Sequence, residues 1–225
     1  MADDVRDQAG RGGGGRAPAG GDGLSLRELK KIRTRERISG EATRLFVARG
    51  FEQVTVAEVA RAAEVSTMTV FNYFPRKEDL FLDRIPEAFA LVTRAVRERD
   101  EGVAPLEALH RLALDLLRQG HPLAGVGFWD RYWWQVLVDS AALQARGREA
   151  LEEFENTLAG LFAEAEGAGP DEHGPRLAAA LTVAAYRSLY ATVIRRQMAG
   201  VPVEEIAAEQ RELLLHTFDV LSRVL

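Results

Sequence analysis

Residues 54–80 read VTVAEVARAAEVSTMTVFNYFPRKEDL, two short helical patterns joined by a tight turn. Thr55 is a good N-cap, and Glu58 three positions on completes a capping box for a helix from Val56 to about Ala63. Ser66 caps a second helix, Thr67 to about Phe74, and Pro75 stops it because proline cannot continue the backbone ladder. In that helix Val70 and Phe74 lie one turn apart and face a small core, with Phe71 at the margin. Met68, Thr69, Asn72 and Tyr73 fall on the opposite side. A small core beneath a polar and aromatic outer face is the helix-turn-helix pattern.

The second helix of such a unit enters the DNA major groove with its first residues near base edges. Thr67, Met68 and Asn72 are therefore the expected base contacts. Asn pairs bidentately with adenine, and Met68, the Thr67 methyl or an exposed Phe71 can touch a thymine methyl. Thr55, Thr69, Tyr73 and Lys77 fit phosphate contact. Ser66 stands with them on the DNA side, although Thr55 and Ser66 act as caps whether or not DNA is bound.

Upstream, a helix is predicted from Leu26 to about Ala48, with apolar positions Leu29, Ile32, Ala42, Leu45 and Phe46 and a stop at Gly50. Its early turns carry Arg27, Lys30, Lys31, Arg33, Arg35 and Arg37, which either form a solvated face or lie along phosphates. Residues 1–24 form a glycine-rich tail with little apolar surface to offset ordering entropy, and are expected to be disordered. Arg6, Arg11 and Arg16 offer it a weak accessory DNA contact.

Net charge is −5, which at first argues against a nucleic-acid partner. Its distribution removes the objection. Residues 24–80 hold 11 Lys/Arg against 8 Asp/Glu, while residues 81–225 hold 15 against 22. Phosphates respond to the local sign within a screening length of about 8–10 Å.

From about Arg33 to Leu82 the chain resembles the N-terminal domain of TetR-family transcriptional regulators. Ala42, Leu45 and Phe46, then Arg49-Gly50-Phe51, Thr55-Val56, Val59-Ala60 and Ala63 carry the likeness, followed by Val65-Ser66 through Phe74, Lys77 and Glu78. Three positions depart from the pattern. Glu64 stands at a turn position commonly glycine, so its φ is either negative or strained. Met68 stands where a small residue is frequent, and Asn72 replaces a common aromatic.

The resemblance implies a homodimer with two reading heads and a C-terminal domain that binds an effector. The expected fold is all-α: a three-helix head at residues 25–80 and a bundle of about six helices at 81–225. Pro86 is expected to kink or end a helix running from Lys77 to about Arg99, which makes it a candidate hinge. Further helices are expected near 105–118, 128–138, 143–166, 175–198 and 202–225. On the last two, Leu181, Ala184, Ala185, Ser188, Ala191 and Thr192, then Ile206, Leu213, Leu214, Thr217, Phe218, Leu221 and Leu225, form long apolar faces. They complete either the monomer core or a four-helix dimer bundle.

An effector pocket has thinner support. Phe128, Trp129, Tyr132 and Trp133 span one broad helical face, with Trp134 pointing elsewhere, and such a stripe also suits a core. Phe89, His110, Phe154, Tyr186, Arg187 and Tyr190 are further pocket candidates. The scarcity of clustered charge suggests an aromatic or otherwise apolar small molecule.

Other classes find little support. The chain has no cysteine, which excludes disulfides and thiolate chemistry. Its four histidines are scattered, giving no metal spacing, and no cofactor is implied. No nucleophile–base set or phosphate loop suggests an enzyme. The longest apolar-rich run, Leu177 to Tyr186, is too short to span a bilayer, and no signal peptide is seen. The expected protein is a cytoplasmic, ligand-released repressor on a palindromic operator. The rivals are an activator, a regulator without effector, and an all-α enzyme or binding module that borrows the motif.

Overall fold

In a computed structural model of the chain, residues 25–127, 131–169 and 172–225 are described. The tail over 1–24 and the two candidate pocket residues Phe128 and Trp129 lie outside them. The described residues are all-α. In chain order the helices are α1 (Leu26–Arg49), α2 (Val56–Ala62), α3 (Thr67–Tyr73), α4 (Lys77–Phe81), α5 (Ile85–Arg97), α6 (Pro105–Arg118), α7 (Arg131–Asp139), α8 (Ala141–Glu166), α9 (His173–Met198) and α10 (Val203–Val224), with a 3-10 turn at Pro122–Ala124.

Local chemistry sets the boundaries of the head. Ser25 and Glu28 form a reciprocal capping box at the start of α1, and Thr55 and Glu58 form another at α2. Ser66 accepts the Thr69 N–H at 3.0 Å to open α3. Glu64, in the turn between α2 and α3, has φ +53°, so the strained alternative holds. Ile38, Ala42, Phe46, Val54, Val59, Ala63, Val70 and Phe74 are buried together. Leu29 and Ile32 depart from expectation. Each is about two-fifths exposed, because the first turns of α1 extend beyond the elements against which its later turns pack.

Pro86 also departs from expectation. It does not kink or end a helix; it sits in the first turn of α5, after a break at Leu82–Arg84. Proline is favoured there, since its missing N–H would have no intrahelical partner.

The core continues from the head into the body. Phe81 stacks on Trp133 with centroids 4.5 Å apart and planes 13° apart, and Phe46 meets Phe81 edge-on at 6.0 Å. Trp134 packs edge-on to Trp133 at 4.7 Å. In the body, α8 and α9 follow one another across a short connection and pack together, with α5, α6 and α10 also in contact with this pair or with each other. By length and composition α9 alone among the described helices could cross a bilayer. On α10, Ile206, Leu214 and Leu221 are buried within the subunit, which settles their alternative in favour of the monomer core. Leu177, Ala184, Ser188 and Ala191 of α9 instead form an exposed stripe of small and apolar residues.

Candidate DNA-reading surface and body cavity

The outer face of α3 is exposed where the sequence places it. Met68 is 69 % exposed and Phe71 44 %, and Thr67 and Asn72 are open to solvent, whereas Thr69 and Tyr73 are partly covered. The Ser66 and Thr69 hydroxyls are 2.8 Å apart, so each already has one partner at the start of α3. Thr55 is exposed, with its N–H donating to Glu58 Oε2 at 2.8 Å. That bond, the Arg49 guanidinium and the Thr55 hydroxyl draw the Glu58 carboxyl down to about 2.

Two basic residues differ from the simple phosphate reading. Lys77 Nζ donates to Phe51 O at 2.6 Å and lies 4.2 Å from the centroid of the Phe51 ring. Partial burial lowers its pKa. One of its three protons is thus committed to the turn after α1. Arg35 turns inward. Its Nη1 donates to Tyr73 O at 3.1 Å, its Nη2 to Asp83 O at 2.7 Å, and its guanidinium lies 4.3 Å from the centroid of Phe74. One side chain of α1 therefore ties the end of α3 to the α4–α5 connector. Its phase with buried Ile38, Ala42 and Phe46, spaced three to four residues apart, is the signal that distinguishes it from the solvated arginines.

Behind that connector the body holds a cavity of about 690 Å³ with an almost wholly apolar wall. Leu82 to Ile85, α5, α6, the 121–125 region, α7, α8, α9 and α10 all contribute. Of the sequence-derived pocket residues, Trp133, Phe154, Tyr186, Arg187 and Tyr190 line it. Three do not. Phe89 stands behind the wall, stacked on Phe154 at 3.9 Å. His110 is stacked on Phe218 at 4.2 Å, and burial lowers its pKa. Tyr132 is 60 % exposed and belongs to a separate surface groove with Glu52 and Asp139. Trp134, expected to point away, lines the cavity. Two adjacent tryptophans can both be buried because one faces Phe81 and the other packs against its edge.

The wall near α9 is closely fitted. Tyr190 Oη donates to Leu123 O, and Gln197 Nε2 donates to Gly125 O at 2.6 Å. Burial pushes the Tyr190 hydroxyl up to about 12. Among the described residues no cluster of three or more His, Asp or Glu is arranged to hold a metal.

Residues 38–83 match the family described as bacterial regulatory proteins, tetR family, and residues 103–219 match the MftR C-terminal domain. The regulator TcmR of Streptomyces glaucescens is 34 % identical over 155 residues, covering 67 % of this chain and 68 % of TcmR. This chain belongs to the TetR family. It is a helix-turn-helix transcriptional regulator. HbdR of an Aromatoleum strain, another such regulator, is 30 % identical over 76 residues, one third (33 %) of each chain.

Solved structures repeat this TetR fold. NalD, the secondary repressor of the MexAB-OprM multidrug efflux pump in Pseudomonas aeruginosa, superposes with TM-score 0.54 at 21 % identity, covering 84 % of this chain and 96 % of NalD. A TetR-family regulator from Mesorhizobium loti gives 0.53 at 19 % identity, covering 87 % and 98 %.

Proposed function

We propose that this TetR-family chain is a cytoplasmic, homodimeric repressor, released from a palindromic operator when a small molecule fills the body cavity. Residues 25–80 act as the reading head and 81–225 as the ligand-binding and dimerising body. The observation that carries this reading is the shared wall. Leu82, Asp83 and Trp133 line the cavity, while Arg35 joins Asp83 to α3 and Phe81 stacks on Trp133. A molecule that moves this wall acts on the head through two contacts, of which Arg35 reaches the end of α3.

In the head, Thr67, Met68, Asn72 and Phe71 meet base edges, and Thr55, Ser66, Thr69, Tyr73 and Lys77 meet the backbone. The exposed α9 stripe supports close approach of a second subunit. Two heads then address half-sites about 34–36 Å apart, and the ligand favours a conformer that spoils this spacing.

Selection from random duplex DNA at moderate salt, combined with sedimentation of the purified protein, tests the reading. A dimer enriching an inverted repeat is the expected result. Enrichment of no sequence, or of single half-sites by a monomer, would sink it.

A further inference from the structure

The charged groups around the cavity fall into two sets. On the connector side, Arg84 Nη1 pairs with Glu87 at 2.7 Å, and the Asp83 carboxyl, pushed up chiefly by burial, accepts from Ser39. On α8 and α9, Arg148 and Arg187 also line the cavity and are exposed. Neither has a carboxylate within ion-pair distance among the described residues. Their neighbour Arg146 is fully engaged, with Asp79 at 3.0 Å and Glu153 at 3.1 Å. Counted back from the connection between α8 and α9, Arg148 and Arg187 differ by four residues, about one helical turn. They therefore lie at similar heights along the packed α8–α9 pair.

The interior favours an aliphatic occupant. Leu91, Leu112, Leu116, Leu151, Leu158 and Leu214 supply much of the wall. Several of its aromatic rings are already engaged, Trp133 with Phe81, Phe154 with Phe89, and Tyr190 through its hydroxyl with Leu123. Two guanidiniums at the rim of a low-dielectric space attract an anion more strongly than they would in water. A volume of about 690 Å³ also leaves room for a long chain.

We propose that the ligand is an amphipathic anion, with an extended aliphatic body in the leucine-lined interior and one acid group held between Arg148 and Arg187 at the mouth. The acid is a carboxylate or a phosphate monoester, both of which suit the planar guanidinium fork. This rests on reading the cavity as the effector site.

The test uses the full chain and three probes of one length: dodecanoate, dodecyl phosphate and 1-dodecanol. Binding is measured calorimetrically below their aggregation thresholds, beside operator affinity. At least one anion is expected to bind about tenfold or more tightly than the alcohol, the size of one good charge-assisted contact, and to weaken operator binding. The anion that wins identifies the acid. Arg148→Ala and Arg187→Ala should each erase that preference while leaving dodecanol affinity unchanged.

Equal affinity for anion and alcohol would overturn the proposal and leave the effector reading standing. So would an Arg187→Ala variant that changed the oligomeric state without altering anion preference, which would assign that arginine to the subunit interface. If none of the three bound or shifted operator affinity, the aliphatic effector reading would fail with the proposal.

Discussion

Arg146 Nε of α8 lies 3.0 Å from Asp79 Oδ1 of α4, a largely buried ion pair between the body and the helix that closes the head. Its second nitrogen reaches Glu153 at 3.1 Å, so the guanidinium is held from both sides. Removing it leaves Asp79 partly covered without its cation. Arg146→Ala is expected to cost about 2 kcal/mol, within the range for a charged hydrogen bond, and to lower the melting temperature by roughly 4–8 °C. Adding Asp79→Ala to that variant should cost little more. Additive losses would show that the two residues act separately.

Glu64 is the only non-glycine residue with positive φ among those described. Glu64→Gly removes the steric penalty of the left-handed region but loosens the unfolded chain. The balance is expected to favour the variant by about 0.5–1 kcal/mol, read as a melting point raised by a few degrees. A lower melting point would mean that the strain is relieved elsewhere in the turn.

Lys77 and Asn72 should separate in DNA binding. Asn72→Ala is expected to relax preference at particular base pairs, because Asn72 is exposed on the outer face of α3 proposed to read bases. Lys77→Ala should weaken binding to all sequences and reduce the salt slope by about one. Its bond to Phe51 O adds a further consequence, a lower melting point. A melting change with an unaltered salt slope would make Lys77 a purely structural residue.

Acid should loosen the head through Glu58. Its carboxyl is drawn from 4.5 to about 2 by the Thr55 N–H, then by Arg49 and the Thr55 hydroxyl. Between those values the unfolded chain binds the extra proton. The cap's contribution is thus whole above about pH 4.5 and disappears as pH falls through about 2. Melting curves of the wild type and Glu58→Gln should converge across this window. Parallel curves would count against the cap as their source.

Arg35 supplies the test of communication. Arg35→Ala should leave ligand affinity nearly intact and reduce the ability of a bound ligand to release DNA, because the contacts to Tyr73 O and Asp83 O are lost together. Full ligand-linked release in this variant would assign the coupling to the Phe81–Trp133 stack instead.

The head was legible because its signals are local. Thr55, Ser66 and Glu58 declare helix starts within four residues, and Val70 and Phe74 declare a buried side within one turn. Arg35 was less legible, since an arginine in a basic run looks solvated until its phase with Ile38 and Ala42 is weighed. Pro86 was misplaced for a related reason. A proline inside a long helical pattern reads as a breaker, whereas here the pattern belongs to two helices and proline opens the second. In the body, tertiary packing decided what periodicity could not. His110 and Tyr186 both sit on body helices among apolar neighbours, yet one meets Phe218 and the other lines the cavity.

At Gly125 a single added carbon would lie 2.9 Å from the Tyr190 ring, with φ at +77° besides. That side of the chamber has no slack and behaves as an anvil. An occupant of the proposed effector site would find no room to widen against Tyr190. On the proposed reading, the chamber would select its occupant by girth on this side before any polar group is read.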